Sequence, residues 1–186
     1  MGGEVDMAFG LRFKTALLYL VVSLRGGASG IDRPFLYSVY GNDIQVRLRR
    51  IHAHPQRDEP EGTLTVALRR RTPAFVQCRF ADGGARLVCE IVPGLYPPKP
   101  GRPAPVLSAG LAEKLQQAGY RRDDGGRLVF SYEITPDSGV WGGAAVVILD
   151  PLIAVFGARA LSKIDIVAPL APERDEAAIR HHMRGP

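Results

Sequence analysis

The sequence is poor in the residues that usually announce a chemistry. Its 186 residues include two cysteines, one tryptophan, three methionines and four histidines. Two cysteines are too few for a disulfide framework, and the spacing of Cys78 and Cys89 fits neither a zinc site nor a thioredoxin-type pair. No G-x-S-x-G elbow is present, which removes that route to a serine nucleophile. The glycine-rich run Arg25-Gly26-Gly27-Ala28-Ser29-Gly30 has neither the Walker lysine nor G-x-G-x-x-G spacing. Long apolar runs are missing too. The most apolar piece, Thr15 to Leu24, has ten residues, about half of the ~20 that a membrane-spanning helix needs.

What is present is ordinary for a folded domain: 46% apolar and 23% charged residues. Lysine and arginine total 24 against 19 acids, a net charge of +5 that admits an anionic partner. Residues 1 to 72 carry 11 basic and 7 acidic groups and the rest carry 13 and 12, so most of the net charge sits in the first two fifths. The length suits one α+β domain over residues 8–170, followed by a polar tail at 171–186 expected to fray.

Two readings are open for the N-terminus. Phe9, Phe13, Leu17, Leu20, Val21 and Leu24 recur at mostly three- and four-residue steps, as in a buried helix. A start at Met7 would instead give a basic leader, an apolar stretch and small residues over 26–30, as in a signal peptide on an exported protein. The helix reading goes with a cytoplasmic protein.

Residues 26–62 read as an added strand pair. Phe35 to Tyr40 is rich in aromatic and branched residues, and Ile44, Val46 and Leu48 alternate with Gln45, Arg47 and Arg49. A polar loop follows from His52 to Gly62, then a half-buried strand at Thr63 to Arg71, which Pro73 ends or bends. If the two basic strands pair, Arg47, Arg49 and Arg50 join Arg69, Arg70 and Arg71 in a cationic patch. Such a patch suits a nucleic-acid backbone, an acidic protein surface, or simple protection against edge-to-edge aggregation. Aromatic residues that would stack bases are not interleaved with it.

The clearest element is a hairpin. Phe75 to Phe80 and Ala85 to Val92 alternate with period two on either side of Gly83-Gly84. A two-residue loop pairs residues whose numbers sum to 167, which sets Cys78 opposite Cys89 as a hydrogen-bonded pair about 5.5 Å apart. That spacing permits a disulfide, but both cysteines share an apolar face with Val76, Phe80, Leu87 and Ile91, so reduced, buried thiols are expected and the disulfide is the alternative. Phe75, Val88 and Val92 point to the other face, where Val129 joins them. This mixed face is a candidate partner-binding surface, or one covered by the chain's own helix.

Residues 93 to 106 hold six of the fifteen prolines and read as an extended spacer, with P-x-x-P spacings that a peptide-binding module could also use. Ser108 caps a helix whose face is Leu111, Leu115 and Ala118, and Gly119 supplies its left-handed end. Leu128 to Ile134 is a strand. Ala144 to Gly157 reads as a helix that Pro151 kinks or restarts behind Asp150, with a strand at 145–149 as the alternative. His52-x-His54 with Asp58, Glu59 or a ligand from the tail is the metal arrangement to weigh against solvated loop histidines. No cofactor and no metal are expected.

The Phe75-Val76-Gln77 opening of the hairpin, its Cys89-Glu90-Ile91-Val92 end, Leu107-Ser108, Leu115 with Ala118-Gly119-Tyr120, and Val155-Phe156-Gly157 together resemble the YbjN-like and type III secretion chaperone-like (TY-Chap) superfamily over residues 63–160. The resemblance implies an α+β fold, a curved antiparallel sheet with helices packed against one face. It also implies a non-enzymatic protein that binds a secreted or toxic client, or forms a homodimer. The chain departs from that pattern in being basic, in its proline-rich 93–106, and in residues 26–62.

Overall fold

The structure, a computed structural model, describes residues 32–69, 74–97, 105–136 and 139–172. The N-terminal apolar segment, Arg70 and Arg71, the middle of the proline-rich connection and the tail histidines lie outside the described residues.

The chain enters as helix α1 (Asp32–Leu36), passes through a wide π turn (Tyr37–Gly41) and continues as α2 (Asn42–Ala53). The strand pair expected at 35–51 is therefore helical. The letters that alternate as Ile44, Val46 and Leu48 also place Ile44, Leu48 and Ile51 at i, i+4 and i+7, and these three are fully buried. Val46 is only half buried. Leucine, arginine and glutamine favour a helix, and a neighbouring helix offers the apolar stripe a partner.

Strands β1 (Leu64–Leu68), β2 (Ala74–Ala81) and β3 (Arg86–Pro93) form an antiparallel meander. Helix α3 (Ala109–Gln117) follows, then β4 (Arg121–Arg122), β5 (Leu128–Glu133), helix α4 (Val140–Ala154) and β6 (Ile164–Val167). The six strands lie in the order β4-β5-β3-β2-β1-β6, each antiparallel to its neighbours. The α+β reading, a sheet with helices, holds. The terminal strand β6 was not anticipated.

The hairpin has the expected partners, but its closing strand pair is 81/86, joined by a tight turn over Asp82–Gly84 and Ala85. Moving the closure by one residue displaces the alternation of hydrogen-bonded pairs. Cys78 and Cys89 face each other with alpha carbons 4.0 Å apart, the close spacing of a non-hydrogen-bonded pair, and are joined as a disulfide. The reduced thiols expected here are thus replaced by the alternative, a cross-strand bond fully buried beneath the helices, because the one-residue shift brings the two residues closer than a hydrogen-bonded pair.

One face of the sheet carries Leu64, Val66, Val76, Leu87, Cys89 and Ile91 into a single core with α2, α3 and α4. Ser108 caps α3, its hydroxyl oxygen accepting from the Leu111 N–H at 3.4 Å. At the other end the Tyr120 N–H donates to Leu115 O and the Gly119 N–H to Gln116 O, each at 3.0 Å, a Schellman closure with Gly119 at φ +97°. That closure swings Tyr120 into the core.

Helix α4 runs through Pro151 without a break. Proline has no N–H for the carbonyl four residues back, that of Val147. The buried Tyr120 hydroxyl donates to it, at 3.5 Å. Burial pushes the Tyr120 phenol far above its ordinary value, so the hydroxyl keeps its proton and remains a donor. Asp150 is no helix cap: it accepts from the Tyr37 hydroxyl at 2.5 Å and pairs with Arg33 at 3.1 Å. These bonds fasten α1 and the π turn to α4.

Three outcomes follow. Leu48→Ala should cost about 2–5 kcal/mol in urea unfolding, whereas Arg49→Ala, on the exposed side of the same helix, should stay within about 0.5 kcal/mol; the reverse ranking would reject the helix. Tyr120→Phe should cost about 0.5–1.5 kcal/mol, because it leaves the Val147 carbonyl without its donor. Burial raises the Asp150 carboxyl, against the smaller lowering effects of Tyr37 and Arg33. A carboxyl raised on folding contributes most to stability below its unfolded value, about pH 4, and loses that contribution as the pH rises through its folded value. Stability of Asp150→Asn relative to the parent should therefore improve as the pH rises from about 4, and a constant difference would contradict it.

Candidate functional site

Because the described helices α2, α3 and α4 lie on one face, strand pairing arranges the other. Thr65, Gln77, Glu90, Val129 and Arg121 form a row across β1, β2, β3, β5 and β4. Arg79, Val88 and Ser131 form the next row. Between them lies a hollow of about 430 Å³ whose lining also includes Thr63 and Arg127.

The four residues expected to form a partner surface separate here. Val88, Val92 and Val129 are half buried and stay on the open face. Phe75 is only 5% exposed, with Tyr96 packed edge-on to its ring at 5.2 Å between centroids. The chain after β3 folds back over that corner, so Phe75 is an internal contact and not part of an accessible surface.

The charges on the face are also unequal. Arg127 pairs with Asp123 at 2.7 Å and with Glu90 at 3.4 Å. The Asp123 carboxyl is held below its ordinary range, first by the Arg127 backbone N–H and then by its guanidinium. Arg86 pairs with Asp82 at 2.9 Å. Arg79, exposed on β2 at the end of its row, has neither a side-chain hydrogen bond nor an ion pair among the described residues.

The described members of the expected basic patch, Arg47, Arg49, Arg50 and Arg69, are dispersed. Arg47 is buried, with its Nε donating to Asp43 at 2.9 Å, the arrangement a buried guanidinium requires. Arg49 and Arg50 are exposed on α2. Arg69 forks onto Asp165 at 2.6 and 2.8 Å, and that carboxylate raises its pKa.

A second concavity, missed in the sequence, lies at the turn end of the hairpin. It measures about 670 Å³, and its side-chain lining comes from Arg49, His52, Ala85, Ile134, Thr135, Pro136 and Trp141. His52 lies in α2 and is half buried rather than in a solvated loop. Its Nε2 is 3.1 Å from Gly84 O, which fixes that nitrogen as the donor. Its ring packs edge-on against Phe80 and Trp141, with centroids 5.1 and 5.3 Å away. Gly84 has φ +95°, and a Cβ there would stand 3.0 Å from His52 Nε2. Arg57 donates to Gly83 O at 2.9 Å and His52 O at 3.3 Å. The lone tryptophan and the Gly-Gly turn were the available signals, but nothing local pairs them with His52.

His54 does not join His52 in a metal arrangement; its Nδ1 accepts from the Gln56 N–H at 3.2 Å. Among the described residues no group of three or more histidine, cysteine or acidic side chains could hold a metal ion, and no helix is long and apolar enough to cross a membrane. Compared with known proteins, the chain matches no family model, no curated protein and no solved structure.

Proposed function

We propose that the chain is a non-enzymatic protein-binding domain, chaperone-like or an adaptor, and that its partner docks on the open face of the sheet with an acidic side chain against Arg79. The observation that carries this reading is an exposed guanidinium without a partner among the described residues, beside half-buried valines, on a face that no described helix covers. Arginine ringed by apolar side chains is a common anchor of protein interfaces, because burying the ring around it strengthens the charge-assisted bond. The acids that line the hollow are already engaged, Glu90 and Asp123 with Arg127, and Asp82 at the turn pairs with Arg86. An incoming carboxylate therefore meets Arg79 without an internal competitor. The resemblance to secretion chaperones makes a secreted or toxic protein the client class to test first. The alternative, nucleic acid bound through Arg47–Arg50 and Arg69–Arg71, has less support, because Arg47 is buried and Arg69 is neutralised by Asp165.

The test is a quantitative binding measurement with a purified client, using the full chain. Arg79→Glu and Val88→Asp should each weaken binding by at least about tenfold, and an acid-to-arginine change in the client should restore binding to Arg79→Glu. Leu161→Asp, at a side chain 94% exposed elsewhere, should have no effect. Urea unfolding of each variant separates lost binding from lost folding. Equal binding by all variants would refute the proposal. Sedimentation showing a dimer abolished by Val88→Asp would make the occupant a second copy instead.

A further inference from the structure

The cleft at the hairpin turn is separate from the open face and on the other side of the sheet. Four segments converge on it: the end of α2, the β2–β3 turn, the connection after β5 and the first turn of α4. Its lining has two features that together select a ligand. Among the described residues its lining contains no carboxylate, while the Arg49 side chain reaches it with no hydrogen bond or ion pair to any of them. The rest of the side-chain wall is largely apolar, from Ala85, Ile134, Pro136 and the indole of Trp141, with Thr135 adding a hydroxyl. Gly83 and Gly84 bring bare backbone to the floor, and the contact of Gly84 with His52 leaves no room for a side chain there.

We propose that this cleft binds a small organic anion with a flat apolar body, an aromatic carboxylate being the simplest member of the class. Arg49 meets the carboxylate with charge-assisted hydrogen bonds, and the ring lies against Trp141, Ile134 and Pro136. An inorganic anion satisfies only the arginine and leaves the apolar wall wet. A neutral aromatic satisfies only the wall and leaves the guanidinium unpaired. The size of the cleft falls within the ordinary range of small-molecule sites. His52 acts as a positioning residue: its bond to Gly84 O and its edge contact with Trp141 hold the turn and the indole in register.

Trp141 is the only tryptophan, so its fluorescence reports on this cleft alone. The full chain is titrated with phenylacetate, with acetate and with benzyl alcohol, and binding is followed by that fluorescence and independently by ligand-observed NMR. Phenylacetate should bind saturably at about millimolar or better, and at least about tenfold more tightly than either control. Arg49→Gln should remove that advantage by about tenfold while leaving benzyl alcohol unchanged. Arg50→Gln, on the same helix but outside the cleft lining, should behave as the parent. No saturable phenylacetate signal by either readout up to about 10 mM would overturn the proposal. Equal affinities for phenylacetate and acetate, or an Arg49→Gln chain that binds as the parent does, would overturn it as well.

Discussion

A β-sheet sends alternate side chains to opposite faces, so helices gathered on one face leave the other to solvent, to the chain's own loops or to a partner. Here α2, α3 and α4 all join the same core, and that single choice shapes the rest of the surface. It leaves Val88 and Val129 half exposed where a second helical layer would have buried them. It also makes the segment around Tyr96 the only described cover on that side, and this cover protects Phe75 at one corner. The face is thus neither a core nor an ordinary polar surface. Along β3 charged and apolar groups alternate on it, as Arg86, Val88, Glu90 and Val92, and the ion pairs consume every cation of the hollow except Arg79.

Pro151 shows how the core corrects a local fault. A proline inside a helix forfeits a backbone bond and opens a gap at the carbonyl four residues earlier. In an isolated helix water would fill that role. In α4 the carbonyl points into the protein, and a tyrosine from the end of α3 supplies the donor. Tyr120 can reach it only because Gly119 turns the chain back on itself, so a glycine in one helix terminus supports a proline in another helix. The apolar character of α4 is compatible with this, since every residue of it except Ala154 is at least partly buried.

Local chemistry explains which elements could be read in advance. The hairpin is legible because period two persists for several residues on both sides of Gly83-Gly84, and α3 because Ser108 and Gly119 mark its two ends. Residues 44 to 51 satisfy helix and strand periods together, and what decides between them is the buried stripe that α2 turns towards α4, a tertiary fact. Strand β6 is four residues long with a charge inside it, too short for a pattern. The same division governs the sites. Val88, Val92 and Val129 were placed by strand alternation and remain on the open face. Phe75 was lost from it because Tyr96, beyond a glycine and before a run of prolines, returns over it. The cleft needed four segments to meet, and no spacing along the chain encodes that meeting.

The two surfaces share one support, the β2–β3 turn, and its anchoring has a physical logic. Tight turns and helix ends both leave carbonyls without partners. Arg57 answers one of each: Gly83 O from the turn and His52 O from the last turn of α2. A guanidinium is suited to this, since its planar array of donors reaches two acceptors at once and its charge favours a helix C-terminus. The arrangement has a cost, because Arg57 Nε is buried with no partner. An unpaired buried donor costs about 1–3 kcal/mol, while each of the two carbonyl bonds, being charge-assisted, returns about 1.5–3 kcal/mol. The balance favours the clasp, and the bond from His52 to Gly84 O adds a second tie at the adjacent residue. With the turn held at two successive carbonyls, the strands leading from it keep their register, and Arg79 on one side and the Trp141 cleft on the other are fixed relative to the same rigid point.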